Sequence, residues 1–288
     1  MSQLAFLAPL TPEDAAKALG AQGARALSGG TDLLVQLRAG RARPSVIVDL
    51  KRIAGAIGVR EEGGGFVIGA CTPGILLSEH AALSRAWPGV VQGASLIGST
   101  QIQARATLAG NLCNASPAAD SVPAMIAGRA TCVIVGPGGR REAAVESIVL
   151  GPGRTSLAPG EFILEFRLPP RPKRAADAYL RLIPRTEMDI AVAGAAVNLT
   201  LDDAGTVTEA HVVIGAVAPT ALWLREAGAA LVGSRLEAPA VEAMQAVVRA
   251  ACRPIDDKRG TVEYRTRIAG VLAQRAATIA YQRARGVI

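Results

Sequence analysis

The sequence has 288 residues, and its 50% of hydrophobic and 19% of charged residues are typical of a folded globular protein with room for two domains. The formal net charge is +7, but the basic residues are scattered and only 3% of residues are aromatic, which disfavours nucleic-acid binding. We expect this positive charge to attract an anionic cofactor or an acidic partner subunit.

Cysteine spacing and hydropathy give expectations about metal binding and about insertion into a membrane. The four cysteines form no C-x-x-C pair, so neither a zinc site nor an iron–sulfur cluster is expected on this chain. The first residues lack the features of a signal peptide, and no apolar stretch reaches membrane-spanning length without charge or proline. A cytoplasmic protein without a membrane span is therefore expected.

The first fifty residues predict a small α/β unit. A strand at 4–7 precedes a helix that begins after Thr11, a capping residue followed by proline and two acids, and ends at Gly20. A strand, a glycine-containing turn, a helix and a buried strand follow at 25–27, 28–32, 33–38 and 45–50.

The middle of the chain predicts short strands separated by irregular segments. Strands are expected at 57–61, 66–70, 131–136 and 162–169, with helices around 75–80 and 89–97. The interval 136–160 is rich in glycine and proline, so loops are expected there.

A proline-rich, basic stretch at 169–174 predicts a linker before a second domain. A strand at 178–184 and a hairpin of 191–201 with 207–217 predict a three-stranded antiparallel sheet. Helices near 221–232, 239–252 and 261–284 would back this sheet, which makes the second domain α+β.

Two small-residue segments are candidate anion sites. In Ser28-Gly29-Gly30-Thr31-Asp32, two glycines allow close approach of a ligand to successive main-chain amides, and the hydroxyls add donors. The segment Thr107-Leu108-Ala109-Gly110-Asn111 repeats this chemistry. Two such segments could close on a diphosphate from both sides, although a glycine pair alone is more often a plain turn.

Asp120 follows the second segment and has two interpretations that the residues leave open. Its carboxylate could accept hydrogen bonds from sugar or ribityl hydroxyls, or it could cap the short helix that contains Met125. Neither a G-x-G-x-x-G nor a G-x-x-x-x-G-K-[ST] motif is present in the sequence, which disfavours a Rossmann or P-loop site.

Five stretches, in this order, resemble the FAD-binding medium subunit of the molybdenum hydroxylases, the family of xanthine dehydrogenase and carbon monoxide dehydrogenase: SGGTDLL, IGSTQIQARATLAGNLCNASPAADSVP, EFILEFRLP, YLRLIPRTEMDIAVAGAAV and CRPIDDKRGTVEYR. The resemblance covers nearly the whole chain. It implies an α+β protein with a two-part FAD-binding domain of the vanillyl-alcohol-oxidase (PCMH) type at 1–172, subdivided at about 1–55 and 56–172. A small α+β domain with a three-stranded antiparallel sheet and helices is expected at 175–288.

The resemblance also implies roles for single residues. The first phosphate loop is Ser28, Gly29, Gly30, Thr31 and Asp32, and the second is Thr107, Leu108, Ala109, Gly110 and Asn111. Asp120 matches the acid that holds FAD hydroxyls, and Ile163 and Leu164 match an apolar strand beside the flavin ring. Arg181 matches a position near the flavin that is often lysine, while Tyr179 lies either beside the isoalloxazine or in the core.

The sequence departs from the family at two positions, because Ala106 and Ala109 stand where glycine is usual. Alanine is tolerated there only if the backbone φ is already negative. We expect FAD binding to persist because Gly110 and Asn111 remain.

The implied function is electron transfer in a heterotrimer. Electrons from a molybdopterin centre in a large subunit would cross two [2Fe–2S] clusters in a small subunit, reach FAD here and pass to NAD⁺, O₂ or a quinone. No catalytic acid–base pair and no metal ligand are expected on this chain, and the assembly would be a dimer of heterotrimers. Two alternatives are an FAD-free scaffold subunit and a stand-alone flavin reductase of the same fold.

Overall fold

A computed structural model describes residues 4–288. The first part of this range contains a small parallel sheet. The elements of this first part are β1 (Ala5–Leu7), α1 (Pro12–Leu19), β2 (Ala24–Leu27), α2 (Leu33–Arg38) and β3 (Val46–Asp49). The strands pair in the order β1-β3-β2, and both ladders are parallel. Thr11 caps α1 by accepting a hydrogen bond from the Asp14 amide at 3.2 Å, as the sequence predicts.

The second part is built on an antiparallel sheet. Its elements are β4 (Val59–Glu62), β5 (Gly65–Gly69), α3 (Gly74–Glu79), α4 (Ala81–Ala86), α5 (Pro88–Ser95), α6 (Thr100–Gln103), α7 (Leu108–Cys113), α8 (Ser121–Ala127), β6 (Thr131–Gly136), β7 (Gly139–Ala144), β8 (Val149–Gly151), β9 (Arg154–Thr155) and β10 (Phe162–Leu168). A 3₁₀ turn spans Val145–Ser147. The strand order is β4-β5-β10-β6-β7, which buries the central strand β10 almost completely.

The expectation of loops at 136–160 is wrong for residues 139–144, which form β7. This strand is an edge strand with exposed, charged side chains, and within residues 4–288 it pairs only with β6. A strand that buries neither face lacks the hydrophobic alternation from which strands are predicted.

The third part is a second antiparallel sheet backed by helices. Its elements are β11 (Ala175–Leu182), β12 (Ala193–Leu201), β13 (Val207–Gly215), β14 (Leu222–Trp223), α9 (Arg225–Ala229), α10 (Ala238–Ala251) and α11 (Val262–Ala284). The order is β11-β12-β13-β14, so the sheet has four strands and the prediction of three is wrong. The extra strand has two residues, too few for a periodic pattern, and the helix expected from 221 begins only at Arg225.

Both faces of the second antiparallel sheet are buried, and one of them packs against the second part of the chain. Tyr179, Ala196 and Val213 contribute to the hydrophobic core of the second part. Their neighbours Ala178 and Val197 point to the other face and pack in the core beneath α10 and α11. Because successive strand residues point to opposite faces, one sheet serves two cores.

Among residues 4–288, no helix is both long and apolar enough to cross a lipid bilayer.

Candidate functional site

The first glycine pair lies at the carboxyl edge of the parallel sheet. Residues 28–32 connect β2 to α2, and Leu27 at the end of β2 lies opposite Asp49 at the end of β3. Gly30 has a φ of +79°, in the left-handed region that favours glycine, and its carbonyl accepts a hydrogen bond from the Leu34 amide. Ligands of open α/β sheets bind outside the carboxyl ends of the strands, where this turn lies.

Residues 105–111 contact this turn directly. A Cβ atom on Gly29 would lie 1.8 Å from the carbonyl oxygen of Arg105, so only glycine allows the two backbones to approach this closely. The hydroxyl oxygens of Ser28 and Thr107 are 2.9 Å apart and share a hydrogen bond. The fold thus brings together the two segments that the sequence predicts to act on one ligand.

The second segment, which the resemblance gives as a phosphate loop, is the start of a helix. Thr107 is the N-cap of α7, and its Oγ1 accepts a hydrogen bond from the Gly110 amide at 3.0 Å. Asn111, inside the helix, uses Oδ1 to accept from both the amide and the hydroxyl of Ser121, at 3.2 and 2.7 Å. The segment is therefore fixed at both ends by side-chain hydrogen bonds.

Ala106 and Ala109 fit their positions without backbone strain. Neither has a positive φ, in contrast to Ala115, which has a φ of +50°. Ala109 lies within α7, where alanine is favoured over glycine. The two departures from the family's glycines therefore leave the second segment intact.

Several main-chain amides of the two segments remain available to a ligand. Within residues 4–288, no hydrogen-bond acceptor faces the amides of Gly29, Gly30 and Thr31 in the first segment. The same holds for the amides of Leu108 and Ala109 in the second. These five donors are therefore free to bind an acceptor from outside the chain, as an anion site requires.

A groove of about 670 Å³ runs between the two segments. Of the predicted site residues, its walls include Ser28, Gly29, Gly30, Thr31, Asp32, Thr107, Ala109, Gly110, Asn111 and Ile163. Small-molecule and cofactor sites commonly have volumes of ~300–1,000 Å³. The remaining wall comes from Gln36, Ile97, Cys113, Asn114, Thr155 and the run 157–162, among others.

Two predicted residues point away from the groove into hydrophobic cores. Leu108 packs with the core that includes Trp87, and Leu164 packs with the core that includes Val48. Leu164 follows Ile163 along β10, but its side chain is buried in this core and only Ile163 of the pair lines the groove.

Asp120, Tyr179 and Arg181 form a buried cluster beside the groove rather than on its wall. One carboxylate oxygen of Asp120 accepts from the Tyr179 hydroxyl at 2.8 Å, and the other accepts from the Arg181 guanidinium. Asp120 occupies the N-cap position of α8 but makes no capping hydrogen bond with its side chain. Capping is therefore not its role, and Tyr179, only 2% exposed, is a core aromatic.

The electrostatics of this cluster are dominated by burial. Burial raises the pKa of Asp120, against the opposing effects of the Arg181 charge and the two hydrogen bonds. Burial also raises the pKa of Tyr179 well above its usual value. The Arg181 Nε has no acceptor within residues 4–288, so the guanidinium retains a free donor although its side chain is only 5% exposed.

Sequence reasoning missed several wall residues. Gln36 lies one helical turn after Asp32 on α2, and Cys113 and Asn114 end α7. Spacing was the available signal for Gln36, because positions four apart share a helix face, whereas Cys113 and Asn114 lie at the end of a helix that the sequence did not predict. Burial raises the pKa of Asp32, which also lines this groove.

Two family models match the chain, one over its first part and the other over its last part. The model described as "FAD binding domain in molybdopterin dehydrogenase" matches residues 2–171, and that described as "CO dehydrogenase flavoprotein C-terminal domain" matches residues 178–280. Together these descriptions define a flavoprotein of the molybdopterin dehydrogenase class.

Individual relatives agree over almost the whole length. The carbon monoxide dehydrogenase medium chain of Afipia carboxidovorans is 37% identical, covering 92% of this chain and 91% of that one. The xanthine dehydrogenase FAD-binding subunit of Escherichia coli O157:H7 is 31% identical, covering 91% and 90%. The carbon monoxide dehydrogenase structure from Hydrogenophaga pseudoflava matches with a TM-score of 0.93 at 34% identity, covering 98% of both chains.

The chain belongs to the FAD-binding medium subunits of the molybdenum hydroxylases, an oxidoreductase family whose cofactor in this subunit is FAD. The predicted family, fold class, enzyme class and cofactor are confirmed. The roles of individual site residues and the limits of the domains stay predictions.

Proposed function

We propose that this chain is the electron-transfer subunit of a heterotrimeric molybdenum hydroxylase and binds FAD in the groove between residues 28–32 and 107–111. The placement rests on the contact between the two segments. Gly29 packs on Arg105 and the Ser28 hydroxyl shares a hydrogen bond with that of Thr107, so both segments present free amides to one groove. Main-chain amides that converge in this way bind phosphate groups.

The residues present fit the pyrophosphate of FAD. Besides the free amides, the groove is open at Gly110, where an added Cβ would meet only the Thr107 hydroxyl oxygen, at 3.1 Å. The wall also has an apolar part that includes Ile97, Leu157 and Ile163, which suits the flavin ring. The polar part would therefore hold the phosphates and the apolar part would exclude water from the ring.

The chemistry that FAD supplies when bound is the uptake of single electrons and the release of electron pairs. The chain's own residues bind and orient it. Asp120, Tyr179 and Arg181 would act by fixing the start of α8, to which Asn111 is bonded through Ser121. A direct contact of Asp120 with FAD hydroxyls stays a prediction, since both of its oxygens already accept hydrogen bonds.

We infer that the partners are a large molybdopterin subunit and a small [2Fe–2S] subunit, arranged as a dimer of heterotrimers. The names of relatives support a multi-subunit assembly: "medium chain" for the two carbon monoxide dehydrogenase chains, and "dehydrogenase complex subunit alpha" for a chain of Paenarthrobacter nicotinovorans that is 27% identical. Electrons would arrive from the clusters and leave to NAD⁺, O₂ or a quinone.

We place the FAD-binding domain at 1–172, with subdomains at about 1–55 and 56–172, and the C-terminal domain at 175–288. The sheets support this division, because β10 ends at Leu168 and β11 begins at Ala175, and the two strands belong to different sheets.

The experiment that tests the FAD site is Gly30→Val with Gly64→Val as the matched control. The two glycines have nearly equal φ angles, +79° and +78°, so valine strains both backbones alike, but an added Cβ would lie 3.0 Å from the Leu27 side chain at Gly30 and 3.7 Å from Pro170 at Gly64. Only Gly30 lines the groove, whereas Gly64 lies in the turn between β4 and β5. FAD bound per chain, measured from the flavin absorbance of purified protein, should fall for Gly30→Val alone. Full FAD content in that variant would contradict the placement.

Two further measurements separate the rival functions. Co-expression with candidate large and small subunits should yield a complex that contains this chain and FAD, whereas a complex without flavin would indicate a scaffold. NADH and an artificial acceptor offered to the isolated flavin-loaded chain test the reductase alternative. Rapid turnover without partners would favour that alternative over an electron-transfer subunit.

A further inference from the structure

Lys51 lies behind the first glycine segment, in the turn that follows β3. Asp49 anchors it twice, because its Oδ1 accepts from the Lys51 amide at 3.1 Å and from Nζ at 2.6 Å. The two side chains are 28% and 14% exposed, so the pair is largely shielded from solvent. β2 and β3 are parallel neighbours, which brings the end of β3 beside the start of residues 28–32.

The Lys51 ammonium also donates to the main-chain carbonyl of Ser28, at 3.0 Å. This carbonyl and the N–H of Gly29 belong to the same peptide unit. A positive charge on the carbonyl oxygen withdraws electron density along the peptide and makes its N–H a stronger donor. That N–H is one of the amides with no acceptor within the described chain.

We propose that Lys51 is a positioning residue for the anionic part of FAD: it fixes the Ser28–Gly29 peptide and strengthens its N–H toward a phosphate. Lys51 itself is not on the groove wall, so it acts through the peptide and through its charge. Asp49 keeps the ammonium in place from behind. The inference rests on the proposed placement of FAD. It adds Lys51, which lies outside residues 28–32 and 107–111, to the residues that would bind the cofactor.

The test compares FAD binding by four forms of the 288-residue chain: wild type, Lys51→Met, Lys51→Arg and Lys17→Met. Lys17→Met removes the same charge from an exposed position on α1 that is not on the groove wall, and controls for the change in net charge. Titration of the flavin-free proteins should show affinity for FAD about tenfold weaker in Lys51→Met, because a charge near the phosphates is lost. Lys51→Arg, which keeps the charge and the donors, should bind within a few-fold of wild type.

Salt dependence separates an electrostatic role from a purely structural one. The affinity of the wild type should fall as KCl is raised, and the affinity of Lys51→Met should fall less, because part of the attraction is already absent. A loss in Lys51→Met that Lys51→Arg does not restore, or an unchanged salt dependence, would contradict the electrostatic role. Should Lys51→Met fail to fold, Lys51→Gln, which lacks the charge but retains a donor, takes its place with the same expected loss.

The two proposals fail differently. If Gly30→Val retains FAD, the placement of the cofactor is wrong. If Gly30→Val loses FAD while Lys51→Met binds it as tightly as Lys17→Met does, the placement stands and the role of Lys51 is wrong.

Discussion

The hydroxyl oxygens of Ser28 and Thr107 lie 2.9 Å apart, although 79 positions separate the two residues in the sequence. Ser28 directly follows β2 of the small parallel sheet, and Thr107 is the N-cap of α7, which shares a hydrophobic core with the first antiparallel sheet. Their hydrogen bond therefore joins the two parts of the proposed FAD-binding domain at the groove. Cofactor sites are commonly found at such junctions.

Gly29 should be the least tolerant position of this junction. In Gly29→Ala, the new methyl group would lie 1.8 Å from the Arg105 carbonyl oxygen, so the two segments must separate. We expect bound FAD to be lost from most of the purified chains, as measured by flavin absorbance relative to protein.

The control for this prediction is Gly138→Ala. An added Cβ at Gly138 meets no atom within 4 Å, and its φ is not positive, so alanine is tolerated there. Equal FAD content in the two variants would show that close contact between the segments is not required for binding.

Asp120 and Arg181 should be strongly coupled in their effect on stability. In Asp120→Ala, the Arg181 guanidinium stays buried beside Tyr179 but has lost its carboxylate partner. Removal of one partner of a buried ion pair typically lowers the free energy of unfolding by about 3–5 kcal/mol. Arg181→Met should cost a similar free energy of unfolding. Urea denaturation should show that the double variant Asp120→Ala/Arg181→Met costs much less than the sum of the single variants. Additive effects would contradict the coupling.

The sequence predicted the groove's polar residues because glycine, hydroxyl and amide side chains concentrate in two short segments. It could not predict that Tyr179 is buried, since an aromatic residue two positions before Arg181 on a strand has the same sequence pattern whether it faces a ligand or a second core. Tyr179 is buried because both faces of the C-terminal sheet are covered, and this covering depends on how the two domains pack against each other. Lys51 was missed for a related reason, because its contact with Ser28 depends on the pairing of β2 with β3.

Gly89 should be required for the contact between the two proposed domains. Asp177, 2% exposed on β11, accepts hydrogen bonds from the Val90 amide of α5 and from Arg171 of the linker, both at 3.2 Å. A Cβ on Gly89 would lie 2.5 Å from the Asp177 Oδ2. Gly89→Ala should lower the free energy of unfolding by about 1–3 kcal/mol, the cost of overpacking. It should also speed proteolytic cleavage within residues 169–174.

The matched control is Gly270→Ala, also in a helix. There the added Cβ would meet only the flexible Arg249 side chain, at 3.2 Å, and alanine is the better helix former. This variant should be as stable as wild type and should be cleaved in the linker at the same rate. Wild-type cleavage of Gly89→Ala would mean that the Asp177 contact does not hold the domains together.

The stability of the groove's outer wall should depend on pH through Glu161. Its carboxylate accepts from the Arg141 guanidinium at 2.7 and 2.8 Å and from the Ala158 amide at 2.8 Å, and the Arg141 hydrogen bonds are the main cause of its lowered pKa. A carboxyl whose pKa is lower in the folded than in the unfolded state stabilises the fold above its ordinary pKa, and this contribution is lost as the pH falls through the lowered value. Glu161→Gln should therefore cost about 1 kcal/mol at neutral pH, and urea denaturation should show the difference from wild type shrinking below about pH 4. Glu146→Gln, whose carboxylate lies 3.9 Å from Arg225 and is 41% exposed, should change the free energy of unfolding little at neutral pH. A difference for Glu161→Gln that stays constant or grows on acidification would exclude this pair as the cause.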